Sequence, residues 1–111
     1  MAFQEKHLAQ LRPANTTAAS LYSVAASTTA IAKSLVICNT SGAKATFRVF
    51  FDDNGTTYDE TTALFWDHPI AANTTVQIDT YWPSSDSTGN YGVKTSVADA
   101  LTFSLFGVEI S

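Results

Sequence analysis

The chain has 111 residues, a formal net charge of −4 and a pI near 4.8, and only 14 % of its residues are charged, against roughly 25 % in ordinary soluble domains. That length admits one domain with one hydrophobic core and not two. Six scattered Lys and Arg leave no basic footprint for nucleic acid or an anionic membrane, and no apolar run is long enough for a transmembrane helix.

Residues 1–17 differ from the rest. Phe3, Leu8 and Leu11 could line one side of a weak helical turn, which Pro13 would stop. The segment is read as an extended N-terminal arm, pinned across the domain or reaching a neighbour, and residues 18–111 as the domain proper. Three large apolar side chains cannot by themselves offset the ordering of seventeen residues. The arm is therefore expected to be loose in the free protomer and to be ordered by pairing on assembly. The start, MAFQEKHLAQLRP, has no signal-peptide apolar region, which points to synthesis in a reducing cytosol.

Strands then follow at short intervals. Ala19–Val24 is the first. In the next run Ile31, Leu35 and Ile37 alternate with Ala32, Val36 and Cys38, so both faces are apolar; in the run after it Phe47, Val49 and Phe51 alternate with Thr46, Arg48 and Phe50. Period-two alternation of β-branched and aromatic residues is the strand signature. Asn39-Thr40-Ser41-Gly42 between them is turn chemistry, so the two runs are expected to pair as a central hairpin. A polar loop, 52–62, leads to Ala63–His68, which Pro69 should end because it cannot donate to a ladder. Thr75–Tyr81 turns Val76 and Ile78 inward. The loop 83–90 (PSSDSTGN) precedes Tyr91–Val97 and the long run Leu101–Ile110. There the apolar set passes from Leu101, Phe103 and Leu105 to Phe106, Val108 and Ile110, and Gly107 is the expected bulge or kink. Seven or eight short strands and no helix beyond the arm predict an all-β fold, a single sandwich or small barrel of antiparallel strands. Leu35, Ile37, Phe47, Val49, Ile78, Val93, Phe103 and Leu105 are its expected core.

No constellation reads as catalytic. Cys38 is the only cysteine, so an intrachain disulfide is excluded, and it is read as a buried small hydrophobe. Asp67 and His68 are adjacent on a strand and point to opposite faces, which does not make a dyad; there is no G-x-S-x-G elbow and no zinc spacing. No cofactor is expected. Asp52, Asp53, Asn54, Asp59 and Glu60 offer four carboxylates and an amide within nine residues, and calcium takes six to eight oxygens. The helical-hand spacing is absent, since Phe50 stands two residues before Asp52. The loop is read as acidic and solvated, with calcium binding as the alternative. Trp66, Tyr81 and Trp82, with Tyr58 and Tyr91, could form a sugar platform; aromatics in a small β-domain more often serve the core or a subunit interface, and Trp66 and Trp82 join Phe3, Leu8 and Leu11 as candidate interface residues.

The runs LRPANTTAASLYSVAASTTAIAKSLVICNTSG, TFRVFF, DHPIAANTTVQI and ADALTFSLFGVEIS resemble small virion structural proteins and fibre modules of tailed bacteriophages. The likeness covers nearly the whole chain from about Gln10 and consists of a strand–turn rhythm with no site. Residues 21–24 match as Leu-Tyr-Ser-Val, but Ala25 stands where that pattern has proline, and the 52–62 loop is more acidic than the pattern. The resemblance implies a jelly-roll-like domain assembling on the virion as a symmetric oligomer, preferably a trimer. A chain this short looks most like a capsid cement or decoration protein, made in the host cytoplasm and binding other virion proteins such as the major capsid protein. The alternative is a tail or fibre module that recognises a host surface, such as its carbohydrate.

Overall fold

The computed structural model of the chain describes residues 3–84 and 88–111; the segment 85–87 of the expected 83–90 loop lies outside them. The described residues contain eight strands and no helix: β1 (Phe3–Leu11), β2 (Ala19–Ser23), β3 (Thr29–Asn39), β4 (Ala45–Asp52), β5 (Ala63–Ile70), β6 (Thr75–Ser84), β7 (Asn90–Thr95) and β8 (Leu101–Ile110). All pairings are antiparallel, in two four-stranded sheets ordered β1-β8-β3-β6 and β2-β7-β4-β5. Only β4 and β5 follow each other within one sheet. Every other connection crosses the sandwich, the winding of a jelly roll.

Strand alternation turns Leu35, Ile37, Phe103 and Leu105 of the first sheet toward Phe47, Val49 and Val93 of the second, with Leu21, Ile70, Tyr91 and Leu101 completing the core. Phe47 and Phe103 meet edge to face across it, ring centroids 6.2 Å apart. Ile78 packs against this cluster but is only partly buried, because β6 is an edge strand with a neighbour on one side.

Four expectations are corrected. First, β3 and β4 are joined by a turn but do not form a hairpin: β3 lies between β8 and β6, and β4 between β7 and β5. Buried Asn39 directs the crossing. Its side-chain amide donates to the carbonyls of Ala43 (2.9 Å), Ile70 (3.3 Å) and Ala71 (3.2 Å), while its oxygen accepts from Ser41 N (3.0 Å). Second, the helical turn in residues 3–11 does not form. The segment is β1, paired with β8 from Phe3↔Ile110 to Leu11↔Phe103, so in the single chain it belongs to the sandwich. It satisfies the backbone donors and acceptors along one side of β8, which a helical turn would leave unpaired. An extra residue at Leu8 shifts the register, and this lets Leu8 and Leu11 both pack on the core despite their odd spacing. Third, β5 continues through Pro69 to Ile70, as an edge strand can. Fourth, β8 itself is unbroken. The bulges are in its neighbours, at Lys33 of β3 opposite the Phe106–Gly107 step and at Leu8 of β1 opposite the Leu105–Phe106 step, and the even-numbered positions of β8 change from Thr102 and Ser104 to apolar residues on one continuous outer face. Cys38 is half-buried and free, on the outward side of β3.

Candidate interaction surfaces

The outer face of the second sheet is covered by the 52–62 loop. Asp52 ends β4, and its carboxylate accepts from Asn54 N (3.1 Å) and Thr57 N (2.9 Å), bending the loop back over the sheet. These bonds, Thr57 first, hold its pKa below the usual carboxylate range. Tyr58 then lies over Gly92, where a Cβ would come within 2.4 Å of its ring, and beside buried Phe50. Its hydroxyl donates to Asn90 Oδ1 at 2.5 Å, and the Asn90 amide donates to Ser20 (3.0 Å) and Ser23 (2.6 Å) of β2. Asp59 accepts from Thr61 N and Oγ1, and these bonds lower its pKa; Asp53 accepts from Ser84 Oγ at 3.2 Å. Among the described residues no three His, Cys, Asp or Glu side chains converge on a metal position. Of the residues named for the calcium alternative, Asp52, Asp53 and Asp59 each accept hydrogen bonds that shape the loop.

Beside it, Trp66 on β5 is 44 % exposed. The Arg48 guanidinium sits 3.5 Å from its ring centroid and makes paired hydrogen bonds to Asp67 at 2.7 and 3.1 Å. That clamp, Arg48 first, lowers the Asp67 pKa. Asp67 takes a positive φ of 51° at the β5 irregularity, a conformation Asp tolerates better than most residues. His68 goes elsewhere, its ring 5.1 Å from Phe47. Of the other aromatics, Tyr58 shares with Trp66 a contact to Phe50, whereas Trp82 turns inward against Phe65, Tyr91 stacks on Phe51 inside the sandwich, and Tyr81 lies on the other sheet beside Lys33.

The outer face of the first sheet carries an open groove of about 580 Å³ across β1, β8 and β3, lined by apolar Phe3, Ile31, Phe106 and Val108 with Glu5, Lys6 and Lys33. Phe3 and Tyr81 are each 66 % exposed and Phe106 39 %; His7 stacks on Phe106 at 4.8 Å. Of the candidate interface residues, Phe3 belongs to this groove, Leu8 and Leu11 pack toward the core, and Trp66 and Trp82 belong to other surroundings. Phe106 and Ile31 were missed as groove residues, with buried Val108 in the floor between them. Their signal was present in β3 and β8, whose alternation is apolar on both faces, one more than the core needs.

At one end of the sandwich Glu109 accepts from the Tyr22 hydroxyl of the opposite sheet and pairs with Lys6 at 2.9 Å. The Tyr22 bond, then Lys6, holds the Glu109 carboxyl below its ordinary pKa. A depressed folded-state pKa stabilises the fold above the unfolded value, about 4.3, and the contribution is lost as pH falls through the folded value. Glu109→Gln should therefore melt below the parent at pH 7, with the gap closing toward pH 3. Circular-dichroism melts across that range check this; a gap constant with pH would assign Glu109 a packing role instead.

No protein-family model matches the chain, and no curated protein matches it. Solved viral structures do. The infectious bursal disease virus Gx strain structure aligns with a TM-score of 0.53 and 20 % identity over 97 % of this chain and 32 % of that chain. The VP2 subviral particle of infectious bursal disease virus gives 0.50 and 17 % over 97 % and 31 %. The coat protein of Tobacco streak virus gives 0.50 and 11 % over 99 % and 85 %. The chain thus spans about a third of the bursal-disease chains and most of the coat protein. At these identities the likeness is one of fold.

Proposed function

We propose that this chain is a non-enzymatic structural protein of a virion, a capsid cement or decoration protein of a tailed bacteriophage that binds the assembled shell as a symmetric oligomer and stabilises it. The observation that carries this is the strand order β1-β8-β3-β6 over β2-β7-β4-β5, which folds the described residues into one jelly-roll sandwich. The fold likeness to a viral coat protein over 99 % of the chain supports it. So do the low charge and the exposed aromatic and apolar side chains of the first sheet, a composition suited to protein–protein burial. A protein that binds only the assembled shell stabilises it by mass action. The alternative is a tail or fibre module for a host surface, for which exposed Trp66, under the Arg48 guanidinium, is the aromatic feature on the second sheet. The test is co-sedimentation of the purified protein with undecorated shells of the virus that encodes it. Saturable binding that raises the temperature at which the shells release their contents is expected; binding to tails or host cells and not to shells would reverse the assignment.

A further inference from the structure

The groove on the first sheet has a charge arrangement that selects its occupant. β8 runs along its floor, with β1 on one side and β3 on the other. Glu5 rises from β1 level with Val108, and Lys33 from β3 at the bulge between the positions opposite Gly107 and Phe106. The extra residue at Lys33 re-aims the strand, a common use of bulges, and Lys33 and Ile31 both line the groove. Among the described residues neither Glu5 nor Lys33 has an ion-pair partner, whereas Lys6 is held by Glu109. Between the two charges lie Phe3, Phe106, Ile31 and Val108, with Tyr81 beside Lys33. An exposed apolar cluster rimmed by charge marks a protein contact.

We propose that a second copy of this chain covers this face, related by a two-fold axis parallel to β8. Such an axis lays β1 of one copy over β3 of the other. It sets Phe106 against Phe106 at the centre and brings Glu5 opposite Lys33 twice. Glu5 and Lys33 differ by one to two residues along β8, about 3–6 Å at ~3.3 Å per residue, a gap that their side chains span between sheets packed about 10 Å apart. A two-fold axis across the strands would instead put β1 over β1, with Glu5 against Glu5 and Lys33 against Lys33, and like charges so placed oppose association. The face is therefore self-complementary in one orientation, as an isologous contact requires. Being two-fold, the contact adds to a threefold arrangement and does not supply one. It stands apart from the virion assignment, since it is read on the purified protein without particles.

Sedimentation velocity over a concentration series tests it. The parent chain should form a dimer whose dissociation constant rises with salt. Glu5→Lys and Lys33→Glu, each a change at a solvent-facing position, should each weaken self-association by about tenfold or more while leaving the circular-dichroism melt in place. Mixed in equal amounts, the two variants should associate with each other about as well as the parent does with itself, because each then meets the opposite sign at both contacts. A parent chain that stays monomeric, single variants that self-associate undiminished, or a folded mixture that does not associate would each overturn the proposal.

Discussion

Phe103→Ala is expected to cost about 3–5 kcal/mol and so to lower the melting temperature by roughly 12–20 °C. Phe103 is fully buried on β8, the strand that pairs with both β1 and β3. Its neighbours in register are Leu11 and Ile37, and its ring meets Phe47 of the opposite sheet edge to face. Truncation removes the ring from the middle of a two-layer core and leaves a cavity bounded by backbone on both sides, which can collapse only by moving sheets. Phe47→Ala should be comparable, since Phe47 also touches Phe65 and His68. The double variant should fall short of the sum because the two rings share one contact. Thermal and urea melts of the three variants measure this; unchanged midpoints would mean that these two strands do not face each other.

Gly107→Ala should be equally severe for a different reason. Here glycine provides space and not an unusual backbone angle, for no glycine among the described residues has positive φ. A Cβ at 107 would lie 2.1 Å from the Ile31 carbonyl oxygen and 3.1 Å from Ala32 Cα. These are backbone atoms of the adjoining strand, so no rotamer relieves the clash and β3 must separate from β8 at the bulge. A loss of about 3 kcal/mol, the upper range for overpacking, is expected. Gly42→Ala is the control: nothing lies within 4 Å of a Cβ there, and its melt should match the parent within about 0.5 kcal/mol. Equal behaviour of the two variants would contradict the close approach of β3 and β8.

The strands themselves were legible in the sequence because side-chain alternation is local: Phe47, Val49, Phe103 and Leu105 each announce their face within a few residues. Partnership was not legible. A turn such as Asn39–Gly42 says that the chain reverses, not whether it re-enters its own sheet or crosses to the other, and so β3 and β4 looked like a hairpin. Leu8 and Leu11 mimicked a helix because a bulge adds one residue to the strand period. The groove was half visible, as a second apolar set on β3 and β8, but the meeting of Glu5, Phe106 and Lys33 depends on β8 lying between β1 and β3, which no local pattern encodes. The acidic loop was plain as a loop; its closure over the sheet rests on Asp52 capping backbone N–H groups and on Tyr58 finding the space left by Gly92.

The central proposal, that this jelly roll is a component of a viral shell, is tested most directly by imaging virus particles prepared with and without this chain. Difference density repeating with the symmetry of the shell, of a size to hold a sandwich 45 × 26 × 20 Å, is the result expected. Density confined to the tail or its fibres, or particles identical in the two preparations, would contradict it.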